Sequence, residues 1–148
     1  MLFAPIVLLL ICLSLGICAL ALWQGEMPER VAAGLLIVSV VLTTVLSKFG
    51  IPNFPLVELV TDAVAAVGFL VLTLRYGNLW LGATMLFCAA QFSLHSFYLV
   101  TERPHDLFHA IVNNVDVMGI VLSMAIGTAL AVRRRFAQRR SARGASAA

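Results

Sequence analysis

Five apolar stretches follow one another along the chain with only short polar breaks between them. A membrane-crossing helix needs about 20 mostly apolar residues. The pattern predicts spans over 2–23, 31–47, 55–74, 79–100 and 107–132. The second is the shortest and is bracketed by Arg30 and Lys48. The breaks carry turn and cap residues: Gln24-Gly25-Glu26-Met27-Pro28, Gly50-Ile51-Pro52-Asn53-Phe54-Pro55, Tyr76-Gly77-Asn78 and Thr101-Glu102-Arg103-Pro104. Pro28 suits the opening turn of a helix, and Asn78 suits an N-cap. Connections this short make sequential helices antiparallel neighbours. The expected fold is all-α, one five-helix transmembrane bundle over 1–132, followed by a basic, flexible tail over 133–148.

Composition agrees with this pattern. The chain has 148 residues, 61% of them hydrophobic and 11% charged. A soluble domain carries about 25% charged residues. A nucleic-acid-binding domain, a disordered chain and a disulfide scaffold are all excluded, so no nucleic-acid partner is expected. The cysteines Cys12, Cys18 and Cys88 lie in apolar runs and read as packing residues. The first stretch lacks a basic start and a small-x-small cleavage site, and reads as a retained helix rather than a signal peptide.

Charge gives an expected orientation. Of ten Lys and Arg, six lie in the tail: Arg133, Arg134, Arg135, Arg139, Arg140 and Arg143. Basic loops favour the cytoplasm. A cytoplasmic C-terminus with five spans puts the N-terminus outside. Arg30, Arg75 and the tail then face inward, and Lys48 and Arg103 face outward. Trp23, Tyr76 and Trp80 fall at the inner interface, where amphipathic rings are favoured. The strong preference for Arg over Lys fits a GC-rich bacterial genome, so the expected location is a bacterial inner (plasma) membrane. The tail reads as a topology anchor, and a docking segment is the other use open to it.

Ionisable side chains inside a membrane are costly and mark sites or buried networks. The third helix carries Glu58 and Asp62, four residues apart on one face. The fourth carries Thr84, Cys88, Gln91 and His95 on one stripe. The fifth carries His105, His109, Asn113 and Asp116. At about 1.5 Å rise per residue, Glu58, Asp62, Gln91, His95, His109, Asn113 and Asp116 share the outer half of the membrane. A polar pocket between helices 3, 4 and 5 is expected. Below it, Gly119, Ser123 and Gly127 continue the fifth helix's stripe with small residues that permit close helix packing.

Several chemistries suit these residue types. A hydrogen-bonded interhelical network is the plainest. A divalent transition metal could be held by Asp62, His95, His105, His109 and Asp116, since imidazole and carboxylate suit Zn, Fe or Mn. The zinc-protease pattern His-Glu-x-x-His is absent, however. A haem between His95 and His109 needs more than two histidines. A proton path would stop midway, because the inner half lacks acidic groups. The paired glutamates of intramembrane CAAX-type proteases are also missing. Asp62, Leu74-Arg75, Trp80, Gln91, His95, Gly127-Thr128 and the arginine run together resemble small multi-spanning membrane proteins of proteobacteria. Asn113-Asn114-Val115-Asp116 departs from the aromatic-rich pattern of that group. The resemblance implies a membrane location and no particular chemistry. The expected function is therefore a non-enzymatic accessory or binding subunit. Its partners would be the lipid bilayer and another membrane protein or a second copy. A metal-dependent intramembrane enzyme or a transporter component is the alternative.

Overall fold

The computed structural model describes residues 3–49, 54–104 and 106–145, all in helices or the turns between them. The helices are α1 (Phe3–Gln24), α2 (Met27–Lys48), α3 (Phe54–Tyr76), α4 (Leu79–Thr101) and α5 (Leu107–Ala145). Four of them contain stretches long and apolar enough to cross a membrane: 27–48, 55–76, 79–101 and 107–138. The described apolar stretch of α1, Leu8–Gln24, is shorter. His105 and the connection over 50–53 lie outside the described residues.

Two boundaries differ from those the sequence predicts. The second helix starts at Met27 rather than residue 31, because its first turn is chemically capped. Glu26 is extended, Pro28 sits in the opening turn, and the Glu26 N–H donates to the Glu29 carboxylate at 3.0 Å. At the other end of the chain, the expected flexible tail is instead a continuation of α5 to Ala145, 39 residues in all. No proline interrupts it after Val132. Asn78 does stand at the N-cap of α4, but its side chain makes no cap bond. Its carbonyl accepts from the Leu81 and Gly82 N–H groups, and Gly77 supplies the positive φ of the turn before it.

The helices form a ring in chain order. Each packs on the next, α5 closes back on α1, and α2 touches α5 across the middle. The α3–α4 and α4–α5 seams are the most extensive. The core runs along these seams through Phe69, Leu72, Trp80, Leu81, Cys88, Ile120 and Met124. Gly119 lies under the Phe87 ring and Gly127 under the Trp80 indole. Two large α4 residues seven apart thus seat against two α5 glycines eight apart, in antiparallel register. The small-residue stripe packs within the chain, with Ser123 buried between the glycines. Trp80 is consequently 8% exposed and belongs to the core, not to the interfacial belt the sequence suggested.

The outer surface is apolar. On α3, Val60, Val64, Val67, Val71 and Leu74 are exposed while Thr61 is buried, and the other helices repeat this arrangement. An apolar surface of this extent on a soluble protein would drive association, whereas lipid covers it at no cost. The structure thus supports a membrane protein. The hydroxyls obey the same solvent logic. Ser14, Ser39, Thr43, Thr61, Thr73, Thr84, Ser93, Thr101 and Thr128 each donate to the carbonyl one turn back. In lipid, where no water can serve them, helix carbonyls satisfy these protons.

Candidate functional site: a polar cleft inside the helix ring

The register of the seams decides which polar residues meet. On the α3–α4 seam, Asp62 faces His95, and Asp62 Oδ2 pairs with His95 Nδ1. On the α4–α5 seam, Gln91 faces Asn113, and the Gln91 amide donates to Asn113 Oδ1 at 3.1 Å. One turn nearer the helix ends, the His95 and His109 rings lie 5.4 Å apart, tilted by 31°. These contacts tie three helices together at one level, as the coincident depths predict.

The same residues border a cleft of about 320 Å³. Its walls include Glu58, Asp62 and Thr61 from α3, Cys88, Gln91 and His95 from α4, and His109 and Asn113 from α5. The fourth wall is α2, which contributes Ser39, Thr43 and Thr44. The sequence-based pocket was drawn between helices 3, 4 and 5 only. The ring places α2 opposite α4, so its hydroxyl face completes the site. Ser39 and Thr43 are four residues apart, a legible polar stripe on an otherwise apolar helix.

Asp116 departs from expectation in the other direction. It is 5% exposed, yet it does not line the cleft. Among the described residues its Oδ2 has no hydrogen-bond partner. Three residues beyond Asn113, it has rotated out of the wall and into the packed interior. Asp62, His95, His109 and Asp116 also do not assemble as the expected metal set. Among the described residues, no group of three His, Cys, Asp or Glu side chains is arranged to hold a metal ion.

A second cavity, of about 250 Å³, lies at the neighbouring helix ends and is bordered by Pro55, Tyr98, Leu99, Glu102 and Arg103. Glu58 and His95 line both cavities, so they stand between the cleft and this mouth. Above His109 the start of α5 is fastened to α4. Tyr98 donates its hydroxyl to Asp106 Oδ1 at 2.5 Å, and the His109 N–H donates to the same oxygen at 2.9 Å. Asp106 is thereby the N-cap of α5. The Tyr98 hydroxyl first, and the His109 N–H second, hold its carboxyl below the ordinary carboxylate range. The Tyr98 ring also stands edge-on to the His109 imidazole at 4.8 Å. Exposed beside the α4–α5 turn, Asp106 sets where α5 begins.

The opposite end of the ring carries the arginines. Arg30 Nε and the Arg135 guanidinium both donate to the Gly25 carbonyl, each at 3.0 Å. This ties α5 to the α1–α2 turn. Glu29, which lies before the second span as the sequence predicts it, is 2% exposed there. Its signal was the Glu26-x-x-Glu29 spacing of a reciprocal cap.

Comparison with protein-family models, with curated proteins and with solved structures finds no match to the chain. The functional reading therefore rests on the cleft itself.

Proposed function

We propose that the chain is a non-enzymatic protein of a bacterial inner membrane, an accessory or binding subunit that takes a small guest into its cleft. In this reading all five helices span, the N-terminus lies outside, and the arginine end faces the cytoplasm. The cleft then opens toward the outer side. One observation carries the proposal: a ring with an apolar exterior holds an open cleft in which carboxylates, imidazoles, amides and hydroxyls stand beside the apolar Leu36, Val40, Ala65 and Val117. Pockets of about 300 Å³ and more with a few convergent polar groups are the usual form of a binding site. The clustering of Arg30, Arg75, Arg133, Arg134 and Arg135 at one end, against Lys48 and Arg103 at the other, supports the orientation. A binding role fits better than nucleophilic catalysis, because the Ser93 hydroxyl is engaged by the Ala89 carbonyl rather than by His95.

The test is thiol accessibility. Ser39→Cys and Thr44→Cys are made with Cys12, Cys18 and Cys88 replaced by alanine. A membrane-impermeant methanethiosulfonate is applied to intact cells and to inverted vesicles. Both variants should react from the outside, and a lipid-facing control, Val64→Cys, should not. Reaction only from the cytoplasmic side would overturn the orientation, and no reaction from either side would overturn the open cleft.

A further inference from the structure

We infer that the arginine end of the ring holds one anionic phospholipid, its phosphate on the Arg135 guanidinium and the start of its chains against Trp23 and Phe136. The site lies at the opposite end of the ring from the mouth of the cleft. It does not depend on what the cleft binds.

A cavity of about 270 Å³ opens there between α1 and α5, bordered by Trp23, Gln24, Val132, Arg135 and Phe136. Trp23 and Gln24 are the last residues of α1. Arg133 opens the basic run that follows the apolar stretch of α5. In a membrane the cavity therefore sits where hydrocarbon gives way to headgroups. It equals about nine water volumes at about 30 Å³ each, room for a phosphate and a glycerol unit.

The walls are of two kinds. Arg135 gives one N–H to the Gly25 carbonyl at 3.0 Å. A guanidinium carries five. Among the described residues, no carboxylate pairs with Arg135 or borders the cavity. The bond to Gly25 holds the planar fork in place, so its other donors are oriented before a guest arrives. A phosphate can take two of them at once. This end of the ring carries Arg30, Arg75, Arg133, Arg134 and Arg135 against Glu26 and Glu29. Glu29 is buried, with a carboxylate oxygen on the Glu26 N–H. The field thus favours an anion.

The remaining walls are apolar and bare. Trp23 is 74% exposed and Phe136 is 59% exposed. Toward the middle of the same two helices, Leu20 on α1 and Ile126 and Leu130 on α5 are exposed as well. An indole is favoured at the boundary between chains and headgroups. Free phosphate or an acidic protein segment would engage the arginine and leave the rings uncovered. A phospholipid brings phosphate and hydrocarbon in one molecule and covers both. A zwitterionic headgroup would also bring a cation toward the arginines, so an anionic headgroup is preferred.

Native mass spectrometry of the full-length protein in dodecyl maltoside counts the phospholipids retained from an equal mixture of phosphatidylglycerol and phosphatidylcholine. One phosphatidylglycerol should be retained in preference, by about tenfold or more. Arg135→Gln should lower that preference about tenfold, as expected for losing a charge-assisted bond. Arg133→Gln removes the same charge from a residue that does not border the cavity, and should leave the preference nearly unchanged. Trp23→Ala changes no charge and should weaken retention; it serves if Arg135→Gln does not fold. Inorganic phosphate in excess should not displace the lipid. Equal retention of the two lipids overturns the inference. So does an equal loss in Arg133→Gln and Arg135→Gln, which would mark diffuse attraction to the whole basic end. Retention unchanged by Trp23→Ala, or displacement by inorganic phosphate, overturns the assignment to a lipid.

Discussion

Gly119→Ala is the sharpest test of how α4 and α5 are set against each other. A methyl group at this position would stand 2.5 and 2.6 Å from carbons of the Phe87 ring. Carbon pairs rest at about 3.5–4.0 Å, so the ring must move by about 1 Å. Phe87 packs against the buried core cluster and has little room to retreat. Overpacking of this kind costs about 1–3 kcal/mol, which lowers the folding constant about 5- to 150-fold. Shortening the partner, Phe87→Leu, removes the obstruction. In lipid it also forfeits packing rather than a hydrophobic transfer term. The double variant should therefore be less destabilised than the sum of the single ones, with a coupling of about 0.5–3 kcal/mol. Reversible unfolding in mixed micelles, followed by circular dichroism as the denaturing detergent fraction rises, measures all four corners of the cycle. If Gly119→Ala matches the wild type, or if the two changes simply add, the antiparallel register drawn from Phe87–Gly119 and Trp80–Gly127 is wrong.

Three further outcomes follow from other contacts. Asp106 has a depressed carboxyl pKa, so its cap stabilises α5 in full above the unfolded value of about 3.9 and fades as pH falls through the lower folded value. Hydrogen exchange at the His109 and Ala110 amides should accelerate in that acid window beyond the intrinsic rate, and Asp106→Asn should abolish the excess. Arg30→Ala or Arg135→Ala alone should cost about 0.5–1.5 kcal/mol, because the other arginine still serves the Gly25 carbonyl. Removing both should cost more than the sum, as read by the same unfolding assay. Replacing Arg133, Arg134, Arg135, Arg139, Arg140 and Arg143 with glutamine should yield mixed orientations, scored with alkaline phosphatase and fluorescent-protein fusions at the C-terminus. A uniform cytoplasmic C-terminus in that variant would show that the tail does not set the topology.

What the sequence revealed, and what it hid, has a common physical basis. Long apolar runs bounded by Gly, Pro and charged residues leave little choice of secondary structure, so α3 and α4 fall within two residues of their expected ends. The shared depth of Asp62, Gln91, His95 and Asn113 was legible because antiparallel neighbours joined by short turns have their register fixed by helical rise, whereas the Asp62–His95 and Gln91–Asn113 pairings come from the structure. The part played by α2 was not legible, since Ser39 and Thr43 satisfy themselves locally and resemble ordinary helix hydroxyls until the ring order is known. Asp116 misled because helical spacing gives a face and a depth, while whether a side chain on that face borders the cleft or packs behind it depends on the neighbouring helices. The continuation of α5 past Val132 was hidden by composition: an arginine-rich stretch reads as solvated tail, although arginine is itself a good helix former.

The length of α5 has a mechanical consequence. At about 1.5 Å per residue its 39 residues make a rod about 58 Å long, nearly twice the thickness of a hydrocarbon layer. The same unbroken rod carries His109 and Asn113 in the cleft wall and, about 39 Å farther along, Arg135 at the α1–α2 turn. Without a hinge between them, a pivot of this beam at one end must swing the other. A lever of this kind joins what happens around the imidazoles to the position of the arginine arm.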